Sequence, residues 1–218
     1  MLNFIRHAMR DLKGTGAIAP SSPALAERMV APLSAMPGKR SILEVGPGTG
    51  PFTEVILDAL RAGDRLDICE FNDGFCDHLE RGMLSRHREA RRPGDIRLLR
   101  GDVLAVPLEP SYDAIVCGLP FTNFQTPVVH AIFGRMLSSL RPGGRMTFFR
   151  YYLVRGAQAP FIGTRGRARL RALAHLEAAI GREHALHTEV VLANVPPAVA
   201  VTVTRSTDPN TSTAPWLA

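Results

Sequence analysis

Cysteine is scarce. Cys69, Cys76 and Cys117 form an odd set of three with no CxxC pair, which excludes a disulfide framework and a thiolate zinc site, leaves no metal centre to expect, and fits a reducing cytosol. Long apolar runs are missing too. The best candidate, residues 190–203, is interrupted by Asn194, Pro196 and Pro197, and falls short of the ~18–20 uninterrupted apolar residues that a membrane-spanning helix takes. Lysine is nearly absent, since 24 of the 26 cations are Arg. Genome composition also produces such a bias. No internal repeat is evident. What remains is a chain of 218 residues, 45% hydrophobic and 21% charged. That is the composition of a globular protein with a full-sized core, neither disordered nor collagen-like. A net charge of +6 and a pI near 9.9 favour a polyanionic partner: nucleic acid, an anionic membrane face or a phosphate-bearing substrate. Charge alone does not choose among them.

Residues 1–13, MLNFIRHAMRDLK, precede the break Gly14-Thr15-Gly16 and stand apart as a short segment. From residue 41 onward, β-rich runs alternate with helical ones: SILEV, PFTEVILDALRA, RLDICE, a helix over 73–89, IRLLRGDV, YDAIVCGL, a helix over 127–140, and RMTFFRYY. The βαβα order predicts a doubly wound, mostly parallel α/β sheet with helices on both faces. A basic, glycine-containing loop at 156–166 leads into a helix ending near Ile180, and HTEVVLANV with AVAVTVTR reads as a terminal antiparallel pair. The division is therefore 1–13, a core over 14–205, and a flexible tail over 206–218.

SILEV runs directly into Gly46-Pro47-Gly48-Thr49-Gly50, and Pro51 suits the first turn of the next helix, where an N–H has no intrahelical use. Glycines at alternate positions let the backbone turn sharply and approach a ligand. Glu70 closes the next strand, twenty residues beyond Gly50, where a carboxylate accepts both hydroxyls of a ribose. A dinucleotide fingerprint needs a third glycine where Pro51 stands. The pattern E-x-G-x-G-x-G, led by Glu44, instead resembles the first motif of class I S-adenosylmethionine-dependent methyltransferases, a Rossmann-like family with a seven-stranded sheet. Two further strand ends match it. Gly101-Asp102-Val103 lies where these enzymes set an acid against the adenine amino group, and also reads as an Asx turn. Gly118-Leu119-Pro120-Phe121 lies where amine methyltransferases carry a proline-aromatic tetrapeptide beside the transferred methyl, and also reads as an X-Pro loop that packs Phe121 into the core.

With Gly16-Ala17-Ile18-Ala19-Pro20-Ser21-Ser22 added, the chain over about residues 1–205 resembles the bacterial phospholipid N-methyltransferases, which convert phosphatidylethanolamine stepwise to phosphatidylcholine. The resemblance implies that Ser21, Ser22, Glu44, Gly46, Gly48, Thr49, Glu70, Phe71, Asn72, Asp102, Val103 and Gly118 surround S-adenosylmethionine, which leaves as S-adenosylhomocysteine. Ser22 before Pro23 also reads as a helix N-cap. The alternative family is the ribosomal RNA adenine dimethyltransferases, similar around the glycine loop. These place Asn or Asp where Gly118 stands and append a helical RNA-binding domain, for which few residues follow Arg205, so no nucleic-acid partner is expected.

On a helical wheel at ~100° per residue, Met1, Leu2, Phe4, Ile5, Ala8, Met9 and Leu12 share a sector of about 160°. Arg6, Arg10 and Lys13 lie outside it. Such a helix suits the headgroup plane of an anionic membrane, or packing on the protein's own core. The expected setting is cytoplasmic, peripheral on the inner face of the cytoplasmic membrane, with a monomer expected. For the chemistry, the Gly118 carbonyl offers an acceptor for an amine N–H, and Tyr152 with Phe121 offers aromatic faces for a cationic product. Tyr151 and Tyr152 end RMTFFRYY, and alternation sends them to opposite faces. Arg155, Arg165, Arg167 and Arg169 suit a lipid phosphate, with Tyr151, Arg155 and Arg167 as the substrate-binding set. His184 and His187 are lesser base candidates.

Overall fold

The computed structural model describes residues 21–109, 111–151, 164–214 and 216. Their core is a seven-stranded sheet, β1 (Ser41–Val45), β2 (Arg65–Glu70), β3 (Asp95–Arg100), β4 (Tyr112–Cys117), β5 (Leu140–Tyr151), β6 (Ala185–Val191) and β7 (Ala198–Thr204). The strand order is β3-β2-β1-β4-β5-β7-β6. The first five strands run parallel and β7 runs antiparallel to both β5 and β6, so the fold read from the sequence is the one observed. The order reverses direction beside β1. Ligands of such sheets bind at this point, outside the strands' carboxyl ends.

Helices cover both faces. On one side lie α1 (Pro23–Val30), capped by the Ser22 hydroxyl accepting the Leu25 N–H, and α2 (Pro51–Ala59). Leu25, Met29, Phe52 and Ile56 from these helices bury against Ile42, Ile68, Val116 and Phe149 of the sheet. On the other lie α5 (Thr126–Ser139) and α6 (Thr164–Glu183), which pack Phe133, Met136, Leu173 and Leu176 onto Leu43, Ile115 and Phe148. Strand alternation divides neighbouring residues between these two cores. A buried Arg40 clamps the rim: its guanidinium pairs with Asp64 and donates to the Leu33 and Ala59 carbonyls at 2.8 and 2.7 Å. A buried cation persists only when its donors are met in this way.

Two expectations need correction. The helix expected over 73–89 is three pieces: α3 (Asp73–Leu79), a π-helical turn (Glu80–Leu84) and α4 (Ser85–Glu89). The π turn seats Met83 over Gly50, where an added Cβ would lie 2.8 Å from its Sδ and Cε. The tail, expected to be flexible, is held at Trp216, whose ring sits 5.5 Å from His130 and 6.5 Å from Phe133. An indole can bury enough apolar area to fix a terminus that is otherwise polar. Residues 1–13, Tyr152 and Arg155 lie outside the described residues, as does the side chain of Arg165.

Candidate active site

Four parallel strands, β3, β2, β1 and β4, end side by side, and their ladders continue one step beyond. Gly46 N–H donates to the Cys69 carbonyl at 2.9 Å, Gly101 N–H to the Glu70 carbonyl at 2.8 Å, and Gly118 N–H to the Val45 carbonyl at 2.8 Å. The chain then turns away from each strand and opens a cleft lined by Val45, Gly46, Cys69, Glu70, Phe71, Gly101, Asp102, Val103 and Leu119. The glycine loop forms one rim. Gly46, Gly48 and Gly50 have φ of +68°, +59° and +93°, conformations that a Cβ penalises. Gly46 is also a close approach, since an added Cβ would fall 2.4 Å from Leu119 Cδ2. Gly48 faces open space, the arrangement of a loop that leaves room for a ligand.

Glu70 spans the loop. Its Oε2 accepts the Gly48 N–H at 3.1 Å and its Oε1 the Asn72 N–H at 2.7 Å. Burial pushes its pKa up, and the N–H donors oppose the rise. Each carboxylate oxygen keeps a lone pair for a further donor, so two adjacent hydroxyls suit it. Asn72 also caps α3. Asp102 is buried on the cleft wall while its Oδ1 accepts the Leu104 N–H at 2.8 Å, so the Asx turn and the lining position coexist.

Beneath the loop, Glu44 is wholly buried. Its Oε1 accepts the Thr53 hydroxyl at 3.0 Å, while Oε2 has no partner among the described residues. Burial raises its pKa to about 8, with the Thr53 hydrogen bond opposing and the nearby Glu70 charge assisting. The carboxyl is therefore neutral at pH 7. Thr53 and Cys69 are not site candidates on sequence alone, and Gly101 and Leu119 enter there only within the segments Gly101-Asp102-Val103 and Gly118-Leu119-Pro120-Phe121. Thr53 sits two residues beyond Pro51, where a hydroxyl facing back to the leading acid is the signal that was available. The Cys69 thiol is held above its ordinary range by burial and by the Glu70 and Asp102 charges, so it lines the cleft as an inert group.

Other expected site residues lie elsewhere. Phe121 does not face the cleft: the turn Phe121–Asn123 folds its ring into the core, 4.6 Å from Phe133 and 6.0 Å from Phe148. Gly118 lacks a side chain for a packing reason, because an added Cβ would lie 2.5 Å from the Gly46 carbonyl oxygen. Its absence of a side-chain acceptor thus follows from how closely β1 and β4 end, whatever the substrate. Ser22 serves as the α1 cap and donates its N–H to Asn194 Oδ1 at 2.9 Å; neither it nor Ser21 is among the cleft-lining residues. Thr49 is exposed on the loop. Tyr151 packs edge-on to Phe149 at 5.6 Å, on the α1 and α2 side. Arg167 is exposed on α6, and Arg169 donates to the Asn123 carbonyl at 3.2 Å. His187 lies on the edge strand β6, separated from β1 by β4, β5 and β7, and His184, just before β6, is at the far end of the sheet. Ala185 pairs with Thr204, and Thr204 with Arg145 near the start of β5, opposite the cleft.

Comparison with known proteins fits this geometry. Residues 42–144 match the family model described as a methyltransferase domain. The match spans slightly less than half of the chain. The fold is shared with solved methyltransferases: the structure of a Bacillus cereus O-methyltransferase in complex with SAH superposes with a TM-score of 0.58 at 17% identity, covering 93% of this chain and 89% of that one. Among curated relatives, the ornithine lipid N-methyltransferase of Singulisphaera acidiphila is 30% identical over 127 residues, 58% of this chain and 65% of that protein. A probable ribosomal RNA small subunit methyltransferase A of Methanospirillum hungatei is 32% identical over 83 residues, 38% of this chain and 29% of that protein. The chain thus spans less than two thirds of the length of either relative. Among its described residues no His, Cys, Asp and Glu cluster is arranged to hold a metal ion.

Proposed function

We propose that this protein is a methyltransferase that transfers methyl groups from S-adenosylmethionine to the amine of a membrane lipid, phosphatidylethanolamine and its mono- and dimethyl derivatives, toward phosphatidylcholine. The observation that carries the reading is the likeness, over 58% of the chain, to an enzyme named for N-methylating a lipid. The residues present fit the cofactor. The positive-φ glycines leave the loop open at Gly48, Glu70 keeps acceptor capacity for paired hydroxyls, and Glu44 Oε2 is buried without a partner among the described residues. When bound, the cofactor supplies an electrophilic methyl on a sulfonium.

The chain's own task is to present a neutral amine. An alkylammonium near the lysine reference pKa of about 10.4 has no lone pair at neutral pH, so the site must desolvate it and accept its N–H groups. In this reading the Gly118 carbonyl accepts one N–H, Tyr152 faces the product cation, and Arg155 and Arg167 meet the phosphate of the headgroup. Residues 1–13 lie on the inner membrane face and bring the site to the lipid, with cations toward phosphate. The product then leaves laterally in the bilayer without full extraction of its acyl chains.

The test is incubation with methyl-labelled cofactor and three acceptors: phosphatidylethanolamine liposomes, ornithine lipid liposomes and ribosomal RNA. Label in the phosphatidylethanolamine fraction is expected. Label confined to ornithine lipid would move the substrate to another amino lipid. Label in RNA alone would overturn the lipid reading in favour of an adenine N6-methyltransferase.

A further inference from the structure

The longest apolar run of the sequence has no role in the cleft. It forms the β6–β7 hairpin, and the structure turns its tip outward: Val190, Leu192 and Val195 are 53%, 72% and 78% exposed. These are the exposed large aliphatic side chains of the described residues, gathered in one turn. No charged residue occurs from Val190 to Val199. Isolated exposed apolar residues mean little, but a charge-free cluster on a projecting turn calls for a partner.

Position identifies the partner. Val191 pairs with Ala198, and Ala198 with Tyr151 at the end of β5, so the tip projects from the same edge of the sheet as the cofactor cleft. The tip is also fixed to the body. Asn194 is buried, accepts the Ser22 N–H through Oδ1 and donates from Nδ2 to the Pro196 carbonyl at 2.7 Å, while its own N–H reaches the Val191 carbonyl. Pro196 and Pro197 bring no N–H to be desolvated. The polar atoms of Asn194 are therefore directed inward while the side chains of Leu192 and Val195 face outward, as burial in an apolar medium favours. The apolar surface of three side chains on a convex turn amounts to a few hundred Å² at most, well below the ~800 Å² per partner of a stable protein interface. A wedge of this size fits between lipid headgroups. Ser22, which hangs on the tip, follows directly on the segment that joins the amphipathic residues 1–13 to the body.

We infer that the β6–β7 tip is a membrane wedge, with Leu192 and Val195 entering the interfacial region of a phospholipid bilayer and thereby orienting the cleft toward the surface. The inference rests on the lipid-surface reading above, but its readout is insertion and not methyl transfer. Cys69, Cys76 and Cys117 are buried, so an environment-sensitive dye can be placed on a Leu192→Cys variant of the full chain. With vesicles of phosphatidylethanolamine and phosphatidylglycerol, the dye emission is expected to shift to the blue and to be quenched by brominated acyl chains. The double variant Leu192→Ser, Val195→Ser, checked for an unchanged melting transition, is expected to bind these vesicles about tenfold more weakly, the scale of losing two partly buried aliphatic side chains. A dye that stays in water while the protein is vesicle-bound overturns the wedge. So does a self-associated protein whose dimers the double variant dissolves, which would make the occupant a second copy. Insertion by a protein that labels no lipid would retain the wedge and remove the substrate reading.

Discussion

Two buried carboxyls, Glu70 and Glu44, have opposite duties. Glu70 ties Gly48 to Asn72 across the cleft, so Glu70→Ala both removes a hydroxyl acceptor and leaves two backbone donors unmatched. Calorimetry of the folded variant should show cofactor affinity reduced by about 1–3 kcal/mol, and unchanged affinity would remove Glu70 from the site. Glu44 instead sets a pH dependence. Its folded pKa of about 8 lies above the ordinary 4.5, so the folded protein holds a proton that the unfolded chain has released. The associated stability is fully present below pH 4.5 and is lost as pH rises through 8, with a slope of at most about 1.4 kcal/mol per pH unit. Glu44→Gln keeps the neutral shape without the proton. Its stability relative to the wild type should therefore grow between pH 5 and pH 8 in urea unfolding, and a constant difference would mean that Glu44 is ionised in the folded state.

At the scale of elements, what matters is how closely β1 and β4 end. The Gly118 Cβ position lies 2.5 Å from the Gly46 carbonyl and 3.3 Å from the Phe52 ring, so backbone must move to admit any side chain. Gly118→Ala should cost about 1–3 kcal/mol in thermal or urea unfolding, the range for overpacking, and weaken cofactor binding through Gly46. A loss below ~0.5 kcal/mol would show that the strand ends relax freely. This contact also marks where sequence reading stops. The βαβ order, the loop after β1, Glu70 at the end of β2 and the antiparallel pair were all legible, because each rests on periodicity or on a residue type that one backbone geometry demands. Phe121 keeps two readings in the sequence, beside the methyl or packed inward, because X-Pro-aromatic loops turn according to neighbours, here Phe133 and Phe148, that are remote in sequence. The π turn over Gly50 adds one residue per turn without disturbing the apolar pattern, and the Trp216 contact is a tertiary match that polar tail composition conceals.

Over the whole molecule, cations and apolar surface combine into one expectation about where the protein works. The net charge is +6, and no helix of the described residues is long and apolar enough to cross a membrane; the lipid-surface reading proposed above then predicts an attraction to anionic bilayers that is partly electrostatic and salt-sensitive. Residues 1–13 carry Arg6, Arg10 and Lys13 against a single acid, Asp11, and each cation near an anionic leaflet contributes on the order of 1 kcal/mol. Deleting residues 2–13 from a chain that stays folded should therefore reduce sedimentation with phosphatidylglycerol-containing vesicles by more than tenfold. Raising salt should erase part of the wild-type binding, because the screening length contracts from about 10 Å at 0.1 M to about 3 Å at 1 M. The apolar share, from Leu2, Phe4, Ile5 and the hairpin tip, is insensitive to screening, so binding that persists in high salt should be lost when the truncation is combined with Leu192→Ser and Val195→Ser. If the truncated protein sediments with vesicles as the full chain does at both salt concentrations, the first segment belongs to the fold and membrane contact has to come from the body of the domain.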